Sequence, residues 1–140
     1  MAGTINTIRD ITKDRGNVRE ITFACKAHTD NSFSVTMPNI GVMGWNLYMV
    51  KTWPGGTAPT DASDLTITEA PDDGESYAGD ILGSAGTDQI DATSTLAFVP
   101  LIGGQAAAVP LLTNVFTIAV TNNSVASATF FIKLILVRSL

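Results

Sequence analysis

The chain is short of the groups on which most enzyme chemistry depends. In 140 residues it has one histidine, His28, and one cysteine, Cys25. A single thiol cannot close an intramolecular disulfide, so stability needs no oxidising compartment. A serine triad would require His28, and no serine stands in a G-x-S-x-G context. His28 falls at a strand end beside a turn, where a solvated imidazole is the plain expectation. Cys25 shares a strand face with Ile21 and Phe23, as a small buried hydrophobe does. His28 lies three residues on along that strand and so points to the opposite face. Thiolate activation needs an accessible, electropositive site, and no catalytic residue is expected. Charge is scarce as well. Only 15% of residues are charged, against about 25% in ordinary domains, which implies either a very compact chain or a surface partly hidden against something else, the second pointing to assembly. No apolar run approaches the ~20 residues of a membrane helix, since the longest, residues 128–137, is broken by Lys133. The polar start has no apolar h-region, so neither a secretory signal nor membrane association is expected.

Bases are missing from one stretch altogether. Residues 61–91 carry nine acids (Asp61, Asp64, Glu69, Asp72, Asp73, Glu75, Asp80, Asp88 and Asp91) and no base, while residues 1–26 hold five of the eight basic groups. The folded chain therefore has an acidic side, which disfavours nucleic acid except through the N-terminal segment. Clustered carboxylates suit calcium, but the spacing matches no EF-hand loop, and acids that keep turns solvated are the simpler reading. No metal or cofactor is expected. Paired carboxylates with Trp45 and Trp53 nearby are the ingredients of a sugar site, although both tryptophans suit a core or an interface equally. The stretch Gly83-Ser84-Ala85-Gly86 lacks the Lys-Ser/Thr ending of a phosphate loop. The sequon Asn122-Asn123-Ser124 reads more simply as a turn.

What the sequence does have is strand material. The apolar fraction is 45% and Gly (12) and Pro (6) punctuate it. β-Branched residues suit a pleated surface. Residues 18–27 alternate, with Ile21, Phe23, Cys25 and Ala27 on one face, and residues 33–37 continue the pattern with Phe33, Val35 and Met37. The Thr29-Asp30-Asn31 turn between them predicts a hairpin over 18–37, stopped by Pro38. Residues 42–52 predict a strand with Met43, Trp45, Leu47 and Met49 on one side, ended by Trp53-Pro54-Gly55-Gly56. Shorter strands are predicted around 65–68 and 92–99, with turns at Pro71-Asp72-Asp73-Gly74 and Gly83–Gly86. Residues 111–121 and 127–138 predict a closing pair joined by Asn122–Ser124. The last strand is apolar on both faces, with Phe130, Ile132, Leu134 and Leu136 on one and Phe131, Ile135 and Val137 on the other. A two-layer sandwich buries one such face, so the other needs a cover. Residues 1–16, with Ile5, Ile8 and Ile11 spaced by three, predict an extended arm with room for one helical turn. The expected organisation is an arm over residues 1–16 and one all-β sandwich domain over 17–140.

In its second half the chain resembles a known family. The residues that carry the likeness are Leu65-Thr66-Ile67-Thr68-Glu69, Asp80-Ile81-Leu82-Gly83-Ser84-Ala85-Gly86-Thr87-Asp88, Thr117-Ile118-Ala119-Val120-Thr121-Asn122 and Ala128-Thr129-Phe130-Phe131-Ile132. Their order is similar to that of the jelly-roll cement (decoration) proteins of tailed phages, over roughly residues 18–138. The resemblance implies an antiparallel two-sheet jelly-roll of about eight strands, without enzymatic activity or cofactor. It also implies a virion protein, made in the host bacterial cytoplasm, that binds the outer surface of the capsid and bridges neighbouring major capsid protein subunits. The doubly apolar strand and the apolar loop over 96–112 add the expectation of a homo-oligomer, with two-fold closure favouring a dimer over a trimer. The candidate contact residues are Arg9, Lys13, Arg15 and Arg19 on the arm, and Trp53, Leu101, Ile102, Val109, Phe131 and Ile135. Two alternatives remain: a tail- or fibre-associated β-domain of a virion, and a carbohydrate-binding module.

Overall fold

The computed structural model describes residues 3–37, 40–69 and 80–138. These residues contain strands and two short 3-10 turns but no α-helix. The strands are β1 (Thr4–Lys13), β2 (Val18–Lys26), β3 (Phe33–Thr36), β4 (Asn46–Pro54), β5 (Asp64–Glu69), β6 (Leu96–Phe98), β7 (Leu101–Ile102), β8 (Gln105–Ala106), β9 (Val109–Pro110), β10 (Phe116–Thr121) and β11 (Thr129–Val137). The larger sheet runs β1-β2-β11-β4-β6, with β9 also on β4, and the smaller runs β3-β10-β5. All of these pairings are antiparallel. The expected all-β class is therefore what the chain adopts.

One core lies between the sheets. Ile21, Phe23 and Cys25 of β2, Leu47 and Val50 of β4 and the even-numbered residues 130–136 of β11 face Phe33, Leu65, Ile67, Phe116, Ile118 and Val120 of the smaller sheet. Phe33 meets Phe130 edge to face, with ring centroids 5.0 Å apart, an arrangement aromatic quadrupoles favour. Burial of side chains of this size stabilises by about 1.5–3 kcal/mol each. The polar groups taken inside are satisfied, as burial demands: the Thr52 hydroxyl donates to the Gln89 carbonyl and Ser63 donates to the Thr60 carbonyl.

Four expectations need correction, the last of them on β4. Residues 18–37 do not form a hairpin, because β2 belongs to the larger sheet and β3 pairs with β10 in the smaller. The Asp30 turn carries the chain from one sheet to the other so that Phe23 and Phe33 share one core. The final two strands likewise sit in different sheets and do not pair, and β10 begins only at Phe116, leaving Leu112 66% exposed in the preceding loop. Residues 1–16, expected as an extended arm with room for one helical turn, are extended over Thr4–Lys13 and turn at Asp14–Gly16, but the extended part is a strand paired with β2 along its length and not a free arm. Its isoleucine spacing of three comes from a bulge. The register slips between Thr7 and Arg9, so Ile8 is left over and 56% exposed, while Ile5 faces with Cys25 and Ile11 with Glu20. A bulge inserts one unpaired residue and reverses the alternation beyond it.

A second bulge acts on β4. Leu136 stands opposite Leu47 and Ile135 opposite Met49, leaving Tyr48 over. Leu47 points inward, and beyond the bulge Val50 and Thr52 do so, which turns Met49, Lys51 and Trp53 outward. The expected single face of Met43, Trp45, Leu47 and Met49 is broken there: Trp45 and Leu47 are buried and Met43 is 56% exposed. The glycine loop after Asp80 packs tightly. A Cβ on Gly83 would come within 1.8 Å of the Leu101 carbonyl oxygen, and one on Gly86 within 1.9 Å of that of Leu65, so both positions require glycine. The expected Pro38 stop and the Pro71–Gly74 turn lie outside the described residues.

Candidate binding face

The outer face of the larger sheet is built by register. Directly opposed residues of antiparallel strands point to the same side. One row reads Asn6, Ala24, Phe131 and Trp53; the next Arg9, Thr22, Lys133, Lys51 and Ala97; the next Ile11, Glu20, Ile135 and Met49; and the last Lys13, Val18, Val137 and Asn46. Lys26, opposite Thr4 and Thr129, adds a cation at one end. The face thus combines an apolar field with five cations and one carboxylate, in a chain whose net charge is −5. Phe131, Ile135, Met49, Trp53 and Val137 are all half-buried, with no other strand of the described residues paired over them. Trp53 and Phe131 stack with centroids 5.4 Å apart and ring planes 15° from parallel.

The single carboxylate is committed within the face. Glu20 bridges Lys13 and Lys133, and these two ammonium groups hold its carboxyl down to about 2. Lys51, Arg9 and Lys26 form no ion pair among the described residues.

The ten candidate residues divide. Arg9, Lys13, Trp53, Phe131 and Ile135 come together on this face, and Arg15 is exposed in the turn Asp14–Gly16 beyond its end. Arg19 points to the other side. Its guanidinium donates twice to Asp10 (2.9 and 2.7 Å) and to the carbonyls of Ile40 and Gly41. With Arg138 it flanks the Trp45 ring, their guanidinium carbons 5.8 and 4.2 Å from its centroid. That ion pair holds the Asp10 carboxyl below its ordinary range. Leu101, Ile102 and Val109 are away from the outer face. Leu101 and Ile102 belong to the β7–β8 hairpin, and Val109 opposes the inward Leu47. Sequence reasoning missed Lys26, Lys51, Lys133 and Met49. For β11 the alternation that names Phe131 and Ile135 also names Lys133; for β4 the bulge at Tyr48 hides it.

The groups with possible chemistry are otherwise occupied. Cys25 is buried, which pushes its thiol up to about 12 and leaves almost no thiolate at neutral pH. His28 Nδ1 lies 3.1 Å from Asp30, whose carboxyl is held down to about 2 chiefly by the Ser32 hydroxyl and N–H. Asp61 accepts from the Ala92 N–H, and Asp64 accepts from the Asp88 N–H and the Asn122 side chain. These acids tie loops together, as Asx side chains do. Among the described residues no group of three or more potential ligands converges on a metal position, and Asp72, Asp73 and Glu75 lie outside them. No helix among the described residues is long and apolar enough to cross a membrane.

No protein family, curated protein or solved structure matches this chain.

Proposed function

We propose that this chain is a structural virion protein of the cement type, a jelly-roll that binds the outside of a phage capsid and bridges neighbouring capsid subunits. The observation that carries the reading is the uncovered outer face of the larger sheet, where an aromatic pair and aliphatic side chains are set among cations. Protein interfaces concentrate aromatic anchors in this way. The jelly-roll reading is supported by the winding. Taken in chain order, β2, β4, β6 and β11 fall in the larger sheet, while β3, β5 and β10 fall between them in the smaller. The segment after Asp80 lies beside β5, with the Ile81 N–H donating to the Ile67 carbonyl. A chain wound back and forth between two sheets has the Greek-key character of that fold.

The role is mechanical. Pressure from packaged DNA opens a capsid at its joints, and a rigid domain across a joint resists because separation would expose apolar surface at roughly 25 cal/mol per Å². An interface of about 1,600 Å² loses much of that gain to the ordering cost of association, so the stabilisation per copy is small and the number of copies multiplies it. A second copy is a further partner in this reading, and the outer edge of β1, which pairs with no described strand, offers it main-chain donors and acceptors. A sugar-binding role has less support, because Trp53 stacks on Phe131 and Trp45 is buried between two arginines. The tail- or fibre-associated alternative differs in location on the particle. The test is composition and heat. Purified virions should hold the chain in numbers comparable to the major capsid protein, and particles lacking it should release DNA at lower temperature. Absence from virions, or a few copies confined to the tail, contradicts the proposal.

A further inference from the structure

Lys51 stands directly opposite Lys133 across β4 and β11, at the centre of the larger sheet. Like charges so opposed destabilise a sheet. Glu20 relieves Lys133 and Lys13, but nothing among the described residues relieves Lys51. Its row reads Arg9, Thr22, Lys133, Lys51 and Ala97, three cations without an acid, between rows that are mainly apolar. Folding does not require a cation there. A β-branched or unbranched apolar residue would suit the strand better and would end the repulsion.

The geometry points to Lys51 as the centre of a docking site for a carboxylate-bearing protein surface. Resting on the cement role proposed above, that surface belongs to the capsid shell. Charge complementarity selects the occupant. A second copy presenting this same face would oppose cations to cations. A nucleic acid would have its phosphates repelled beyond the face by a chain of net charge −5, and the rings that would receive its bases are stacked on each other. An acidic protein surface with an apolar centre meets neither obstacle. Burying the Lys51 amine against a carboxylate in a water-poor contact strengthens their attraction.

The experiment compares the wild-type chain with Lys51→Met and Lys51→Arg in two measurements: urea denaturation, and co-sedimentation with capsid shells stripped of this chain, with a poly-dT oligonucleotide as a second probe. Lys51→Met should unfold at higher urea than wild type yet bind shells about thirtyfold more weakly, the loss of one interface contact of hot-spot size. Lys51→Arg, which keeps the charge, should restore binding. Shell binding unchanged in Lys51→Met overturns the docking site while leaving the cement role standing. A Lys51→Met chain less stable than wild type overturns the claim that the lysine is held against the fold's own interest. Tighter binding to poly-dT than to shells, lost in Lys51→Met, makes the face a nucleic-acid platform and overturns the protein partner. A wild-type chain that binds no shell refutes the cement role, and the partner named here with it.

Discussion

Phe130 and Phe131 are consecutive on β11 and meet opposite surroundings. Phe130 is fully buried against Phe33; Phe131 is half-buried and stacks on Trp53 on the outer face. The same contrast holds along the strand, with Ile132, Leu134 and Leu136 inside and Lys133, Ile135 and Val137 outside. On β11 the inner positions are all apolar and specify the fold. The outer face is apolar and cationic, and the described residues leave it uncovered. An apolar residue on the first face maintains the domain; one on the second stays half-exposed.

Substitution at these two positions should break that symmetry most visibly. Phe130→Ala leaves a cavity in the core and should cost about 3–5 kcal/mol, whereas Phe131→Ala should cost about 1 kcal/mol; equilibrium urea unfolding measures both. Equal costs would mean that the outer face is as much core as the inner. Next in size, Gly86→Ala forces a methyl onto the Leu65 carbonyl and should destabilise by about 2–3 kcal/mol, read by the same unfolding curves.

Glu20 sharpens the comparison on the electrostatic side. Its carboxyl is lowered from 4.5 to about 2 by Lys13 and Lys133. A depressed carboxylate contributes stability that is fully present above its unfolded pKa and is lost as pH falls through the folded one. The contribution should therefore decline from about pH 4.5 downward and be gone only below about pH 2. Screening at a surface limits it to about 1 kcal/mol. Glu20→Gln should be less stable than wild type by that amount at neutral pH and converge with it only below about pH 2, measured by unfolding across the pH range. The smallest effect has the opposite sign: Lys51→Met should gain a few tenths of a kcal/mol, observable as a small rise in the urea midpoint.

Much of this architecture is legible in the sequence where period two is unbroken. The faces of β2 and β11, the burial of Cys25 and the outward Phe131 and Ile135 all follow from alternation alone. Two bulges account for the failures of face. Ile8 gives β1 a three-residue spacing that imitates a helix, and Tyr48 exchanges the sides of β4, which conceals Lys51 and Met49. Sheet partners are not legible in the sequence for another reason. The turns at Asp30 and at Asn122–Ser124 have the residues of hairpin turns, but each passes from one sheet to the other, and turn chemistry does not encode which sheet receives the next strand. The basic arm was legible as charge and not as position: Arg9 and Lys13 join the outer face, while Arg19, one strand on, spends its guanidinium on Asp10, Ile40 and Gly41.

Under the proposed cement role, a capsid partner covers the outer face of the larger sheet. Hydroxyl-radical footprinting of the free chain and of intact particles tests it most directly, because Trp53, Phe131 and Met49 all carry oxidisable side chains on that face. All three should react readily in the free chain and be strongly protected on the particle, while Met43, outside the face, reacts in both. Equal oxidation of Trp53, Phe131 and Met49 in the free and particle-bound chain would contradict it.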